Sequence, residues 1–284
     1  MIVTDLGLGS ASGFRHFYAR MIEVGGLTKL YGDFAAVTDL SFVVQPGELL
    51  GLVGPNGAGK TTSLRCLAGI IPATRGTVRI NGHDLTTDPI AAKRDLAFFS
   101  DEPRLFDYLT VRQHLEFTAR LYQVADAPQR YDSLLAELEL KDKADSLPAE
   151  LSRGMKQKVA IACGLLHSPK VIFFDEPLTG LDPLAIRRMK DTIRRLAAEG
   201  SALVISSHLL HLLEELCTRI LVLKRGVKVV HGTVDEIRQQ FASDDANADL
   251  EEVFIRIAMQ ETAPPLPAPP RPPPPPPPFG SNQG

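Results

Sequence analysis

Between residue 21 and about residue 262 the apolar positions change period several times. Ile22–Val24 and the set Val37, Leu40, Phe42 and Val44 read as antiparallel strands with one apolar face. Leu49–Val53 is a short, uniformly apolar run that ends in a Gly-rich turn, and the helical stretch Thr61–Ala68 follows it. Thr77–Ile80 is another strand, closed by Asn81–Gly82, the residue pair of a two-residue hairpin turn. Leu96–Phe99 is strand-like. From residue 111 to 166 the pattern turns helical, and Thr110 with Gln113 makes a capping box at its start. Apolar strands return at Val171–Phe174, Ala202–Ile205 and Ile220–Leu223. Asp182 as N-cap, with Pro183 at the first helical position, opens a helix among them. This alternation predicts an α/β fold: a parallel-sheet core with an antiparallel β subdomain and a helical subdomain inserted at about 100–166.

Both ends depart from this pattern. Residues 1–20 are rich in Gly and Ser, show no period, and are expected to be an extension. Met21 stands immediately before the first strand and offers an alternative start. Residues 263–284 are dominated by proline, with an unbroken run from Pro272 to Pro278. Such a run has no backbone donors and favours polyproline II; it reads as a solvated tail, with a ligand for a proline-reading domain as the sharper alternative. Lys plus Arg (31) against Asp plus Glu (34) leaves a net charge of −3. A near-neutral chain has no global electrostatic reason to coat nucleic acid or anionic lipid, so no nucleic-acid partner is expected. Cys66, Cys163 and Cys217 form no CxxC pair, which argues against a disulfide framework or a zinc site. No apolar run reaches the ~18 residues of a membrane span, and the N-terminus lacks a basic start followed by an apolar block. The expectation is a cytoplasmic chain whose role at a membrane comes through a partner.

The chemistry concentrates in a few segments. Gly54, Pro55, Asn56, Gly57, Ala58, Gly59, Lys60 and Thr61 spell G-x-x-x-x-G-K-T between a strand and a helix, the context a phosphate-binding loop requires. The glycines let backbone N–H groups turn inward, and the helix N-terminus adds partial positive charge. Lys60 is placed to reach the β- and γ-phosphates, and the Thr61 hydroxyl to ligate Mg²⁺; Thr62 continues the same turn. Val171–Phe174 runs into Asp175 and Glu176 at the edge where a buried strand meets a ligand crevice. Asp175 suits a Mg²⁺ contact through water, and Glu176 could polarise an attacking water; alone, the pair would read equally well as an ordinary acidic strand exit. Ser152 is an N-cap for a helix carrying Arg153, Gly154 and Met155, and alone reads as a capped helix.

Taken in order, the phosphate loop, the Leu151–Met155 segment, the Asp175–Glu176 strand, Gly180–Asp182 and His208 resemble the nucleotide-binding subunit of ABC transporters, over about residues 21–260. The resemblance implies a P-loop NTPase (RecA-like) core that binds ATP and Mg²⁺ and hydrolyses ATP. It implies that Tyr31 stacks on adenine, that Ser152 and Gly154 contact the γ-phosphate held by a second ATP-binding subunit, that Asp182 couples the two sites, and that His208 contacts the γ-phosphate. Arg153 and Met155 replace the commoner Gly and Gln. Asp101 stands where the family usually has a glutamine that touches Mg²⁺, and is expected to act on the metal side. The implied partners are a second copy and a separate transmembrane permease, with the chain peripheral on the cytoplasmic face of the cell membrane. Leu250–Ile257 and Met155 tip the reading toward export. A soluble ABC ATPase of repair, translation or cluster assembly is the alternative, and a catalytically silent regulatory subunit a third.

Overall fold

A computed structural model of the chain describes residues 20–179, 183–208, 210–241 and residue 254. The Gly/Ser-rich residues 1–19, Asp182, most of the Leu250–Ile257 segment and the proline-rich tail lie outside the described residues. In chain order the elements are β1 (Ile22–Tyr31), β2 (Phe34–Val44), β3 (Leu49–Val53), α1 (Lys60–Leu67), β4 (Arg75–Ile80), β5 (His83–Asp84), α2 (Pro89–Arg94) and β6 (Leu96–Phe99). There follow α3 (Val111–Tyr122), α4 (Ala127–Glu137), α5 (Arg153–Leu165), β7 (Val171–Asp175), α6 (Pro183–Ala198), β8 (Ala202–Ser206), α7 (Leu210–Leu216), β9 (Arg219–Lys224), β10 (Val227–Gly232) and α8 (Val234–Phe241).

β2, β1, β4 and β5 pair in that order as an antiparallel sheet. Val37 and Leu40 are three residues apart yet both fully buried, which a strict period of two forbids. A bulge reconciles them: Asp39 adopts φ of 48°, and the register slips between Leu27↔Leu40 and Lys29↔Val37.

The second sheet has the order β10-β9-β3-β8-β7-β6. Its strands from β9 to β6 run parallel, and β10 adds an antiparallel edge. Every residue of β3, β7 and β8 is buried, which is why their sequences are uniformly apolar rather than alternating. Leu50, Leu52, Phe173 and Val204 face α1 and the antiparallel sheet on one side; Ile172, Phe174 and Ile205 pack with Ile193 of α6 and Leu213 of α7 on the other. The carboxyl ends of β3, β7 and β8 therefore open onto one edge, where α/β sheets bind ligands.

The helices between β6 and β7 have their own core around Leu115, Leu135, Leu140, Val159 and Leu166. The expected capping box is present: Gln113 N donates to Thr110 Oγ1 at 3.2 Å, and Thr110 N donates to Gln113 Oε1 at 2.9 Å. This block meets the core sheet where α5 crosses β6. A Cβ on Gly164 would lie 2.3 Å from the Phe99 ring, which is buried and stacks on Phe174 with centroids 4.9 Å apart. Gly164→Ala must displace a packed ring, and overpacking of this kind costs about 1–3 kcal/mol. The urea midpoint of the variant is expected to fall accordingly; an unchanged midpoint would show that Phe99 moves freely.

Candidate functional site

β3 delivers the chain into the loop 54–59 with no room to spare. A Cβ on Gly54 would lie 2.4 Å from the Leu223 carbonyl oxygen and 2.7 Å from Ala58 Cβ, so only glycine lets the loop pass β9. Ala58 N closes the turn by donating to the Pro55 carbonyl at 3.0 Å, while Pro55, Asn56 and Gly57 stay exposed at the rim. Gly59 is the N-cap of α1 at φ of 101° and offers no side-chain cap. The first amides of α1, at Lys60, Thr61 and Thr62, thus have no intrahelical acceptor and form an end suited to an anion.

Two opposite charges are buried beside this loop. Lys60 is only 7% exposed, and its Nζ donates to the Gly54 carbonyl at 2.7 Å. Burial pulls its pKa down, opposed by Glu176 and Asp175. Asp175 is 1% exposed at the end of β7. Its Oδ1 accepts from Ser206 Oγ at 2.8 Å and from Thr61 Oγ1 at 3.1 Å. Burial pushes the Asp175 carboxyl up in spite of these hydrogen bonds, and Asp101 adds in the same direction.

The parallel register pairs Asp175 with Ser206 across β7 and β8. Ser206 is a residue that sequence reasoning missed; the available signal was a serine closing an otherwise apolar strand. Its oxygen also accepts from Glu176 N at 3.1 Å, and its carbonyl from the same N–H at 3.2 Å. These contacts hold Glu176 at φ of 53°, an uncommon conformation for a residue with a side chain. Glu176 Oε2 lies 2.8 Å from His208 Nδ1 and accepts from Thr179 Oγ1 at 3.4 Å; Oε1 is 4.0 Å from Lys60 Nζ. Thr179 is a second residue the sequence did not single out.

The remaining expected residues are less tightly gathered. Asp101 influences Asp175 through space, but among the described residues its carboxylate makes no hydrogen bond to Thr61 or Asp175; its carbonyl accepts from Arg153 Nη2 at 3.4 Å. Ser152 caps α5 as expected, Oγ accepting from Met155 N at 3.3 Å, and a Cβ on Gly154 would meet nothing within 4 Å. Tyr31 is exposed at the end of β1, with Lys29 Nζ 5.0 Å above its ring. The β2 backbone of the same hairpin passes behind the loop, the Ala36 carbonyl lying 2.5 Å from where a Gly59 Cβ would be. The Thr61 hydroxyl and the Asp175 carboxylate sit side by side as hard oxygen donors, a set that fits Mg²⁺, which takes one or two protein ligands beside phosphate oxygens and water.

A family model described as ABC transporter matches residues 37–179. The ABC-type transporter ATP-binding protein EcsA of Bacillus subtilis is 32% identical over 243 residues, 85% of this chain and 98% of the relative. Nod factor export ATP-binding protein I of Paraburkholderia xenovorans is 35% identical over 235 residues, 82% of this chain and 76% of the relative. Among solved structures, an ATP-binding subunit of an ABC transporter superposes with a TM-score of 0.79 at 35% identity, covering 84% of this chain and 99% of that one. A dimeric ATP-binding cassette in a post-hydrolysis state, bound to ADP and Pi, superposes with a TM-score of 0.69 at 25% identity, covering 75% and 98%.

The buried Asp175 carboxylate gives a stability test. Its folded pKa is raised, so the native state is penalised once the carboxyl ionises and is relieved of that penalty at pH below the unfolded value of about 4. Asp175→Asn removes the charge and keeps an acceptor for Ser206 and Thr61. In nucleotide-free protein its denaturation midpoint should exceed the parent's at pH 7, the gap closing below about pH 4. A midpoint lower than the parent's at pH 7 would contradict the cost assigned to this charge.

Proposed function

The chain belongs to the family of ABC transporter ATP-binding subunits, and on that premise we propose that it drives export through a separate membrane permease. Its reaction is ATP hydrolysis. The observation that carries the site assignment is the convergence of Lys60, Thr61, Asp175, Glu176 and His208 at the carboxyl edge of the core sheet. In this reading the amides from Gly57 to Thr62 cradle the phosphates and Lys60 reaches the terminal pair. Thr61 and Asp175 hold Mg²⁺, with Asp101 on the metal side. When bound, Mg²⁺ neutralises phosphate charge. Glu176 accepts a proton from water as the water oxygen attacks the terminal phosphorus and the bond to the leaving ADP oxygen breaks. His208, in contact with Glu176 Oε2, keeps that carboxylate in place and faces the terminal phosphate. Tyr31, exposed at the hairpin end, stacks on adenine.

Two copies assemble head to tail in this proposal. Ser152 and Gly154 then complete the site of the partner copy, and Asp182 links the two sites. The open surface over Gly154 and the dimeric form of a structural neighbour support it. The permease docks against the helical block. A groove of about 870 Å³ between that block and β6, with Phe106 and Phe117 exposed at its wall, supports the assignment. Among the described residues no helix is long and apolar enough to cross a membrane; in this proposal the permease holds the chain at the cytoplasmic face. Met155 and a relative named for Nod factor export support the direction of transport.

Glu176→Gln keeps the shape but is a poor proton acceptor. Its turnover, measured by phosphate release, should fall by at least about 10²-fold with ATP affinity retained. Lys60→Ala should instead lose ATP affinity, because a charge-assisted phosphate contact goes. Parental turnover in the Gln variant would remove Glu176 from the role of base.

A further inference from the structure

One polar side chain on α5 has no part in the site as described. Gln157 is 7% exposed, no hydrogen bond to another described residue holds its amide, and the amide atoms are not sealed from water but open onto neighbouring space. An amide carries two donors and an acceptor with two lone pairs. With no protein partner, such an amide is satisfied through water, which an apolar side chain would not hold. The neighbouring inward positions of α5, Val159, Ile161 and Ala162, are indeed apolar. An amide among these apolar positions therefore marks a place where α5 meets water.

Its surroundings identify where that water sits. Gln157 stands in the wall between two spaces: the large groove beside β6, and a cavity of about 10 Å³ also bounded by Asp101, Arg153, Gly154, Glu176, Pro177 and Thr179. The smaller space is at the lower limit of what one water requires, and its mixed lining offers polar partners from Asp101, Arg153, Glu176 and Thr179 as well as Gln157. Glu176 Oε2 is already engaged by His208 and Thr179, whereas Oε1 has only Lys60 at 4.0 Å, beyond hydrogen-bond length. A carboxylate has about four acceptor positions, so Glu176 retains capacity for a further donor.

We propose that Gln157 is a positioning residue for hydrolysis: its amide holds one water in this small cavity against Glu176, and that water fixes the orientation of the carboxylate that takes the proton. This rests on the reading of Glu176 as the base. Gln157 acts through Glu176 and touches neither nucleotide nor metal, so its removal changes turnover and leaves nucleotide binding intact.

Gln157→Met keeps the length and loses the amide; Gln157→Leu is a second apolar replacement. The expected result is an unfolding midpoint equal to or above the parent's, a KM for ATP within about twofold of it, and a kcat lower by about tenfold, the loss of one hydrogen bond's worth of orientation. Parental kcat in either folded variant overturns the proposal. So does a loss that appears as a raised KM, or a midpoint that falls together with kcat in both variants, since either marks structural support. Glu176→Gln measured alongside separates the two claims. An inactive Glu176→Gln enzyme beside a fully active Gln157→Met enzyme removes Gln157 alone. An active Glu176→Gln enzyme removes the base and this proposal together.

Discussion

A buried carboxylate at the end of a buried strand is the constraint around which the site is arranged. Asp175 lies where β7 leaves the sheet, and its charge is tolerable only because Ser206 and Thr61 donate to it. Each donor comes from a different segment: Ser206 from the adjacent strand, Thr61 from the helix after the phosphate loop. The carboxylate thus fixes the loop against the sheet. Lys60 is buried a short distance away, yet among the described residues it forms no ion pair with Asp175 and turns to the Gly54 carbonyl. Its ion pair is the 4.0 Å approach to Glu176, and burying charges with so little pairing costs several kcal/mol per ion. The fully apolar interiors of β3, β7 and β8 carry that burden, and under the proposed function a ligand that brings both a cation and phosphates would relieve it.

The same arrangement accounts for the posture of Glu176. Its backbone N–H is captured by Ser206, which already holds Asp175, so the chain turns through a left-handed residue directly after the strand. That turn aims the Glu176 side chain toward His208 and Thr179 and away from the Asp175 carboxylate. Two adjacent acids consequently sit in different environments. One is buried and held by hydroxyls, and the other is partly exposed and next to an imidazole. Separation of this kind is what lets neighbouring carboxylates take different roles, one toward metal and one toward a proton.

Much of this was legible in the chain because it depends on short-range chemistry. The spacing from Gly54 to Thr61 encodes the loop without reference to anything distant. Thr110 and Gln113 encode a capping box in four residues, and Ser152 announces the start of α5. The apolar run before Asp175 marks a strand that ends in solvent or ligand. What could not be read depends on register. Ser206 meets Asp175 across 31 residues of sequence, and only the pairing of β7 with β8 places it there. The bulge at Asp39 was hidden because inward residues on both sides of it are apolar. The antiparallel edge strand β10 was not named, since its apolar content is modest and its pairing with β9 is set by the turn at Arg225–Gly226. Gln157 looked like one more polar helical residue until its burial was known.

The central claim is that the carboxyl edge of the core sheet reads the phosphates of a nucleotide. Calorimetric titration of the full chain with ATP, ADP and AMP in the presence of Mg²⁺ tests it most directly. ATP and ADP should bind, and AMP should bind far more weakly, because the loop amides and Lys60 engage phosphates that AMP lacks. AMP binding as tightly as ATP, or no binding of ATP, would contradict the account.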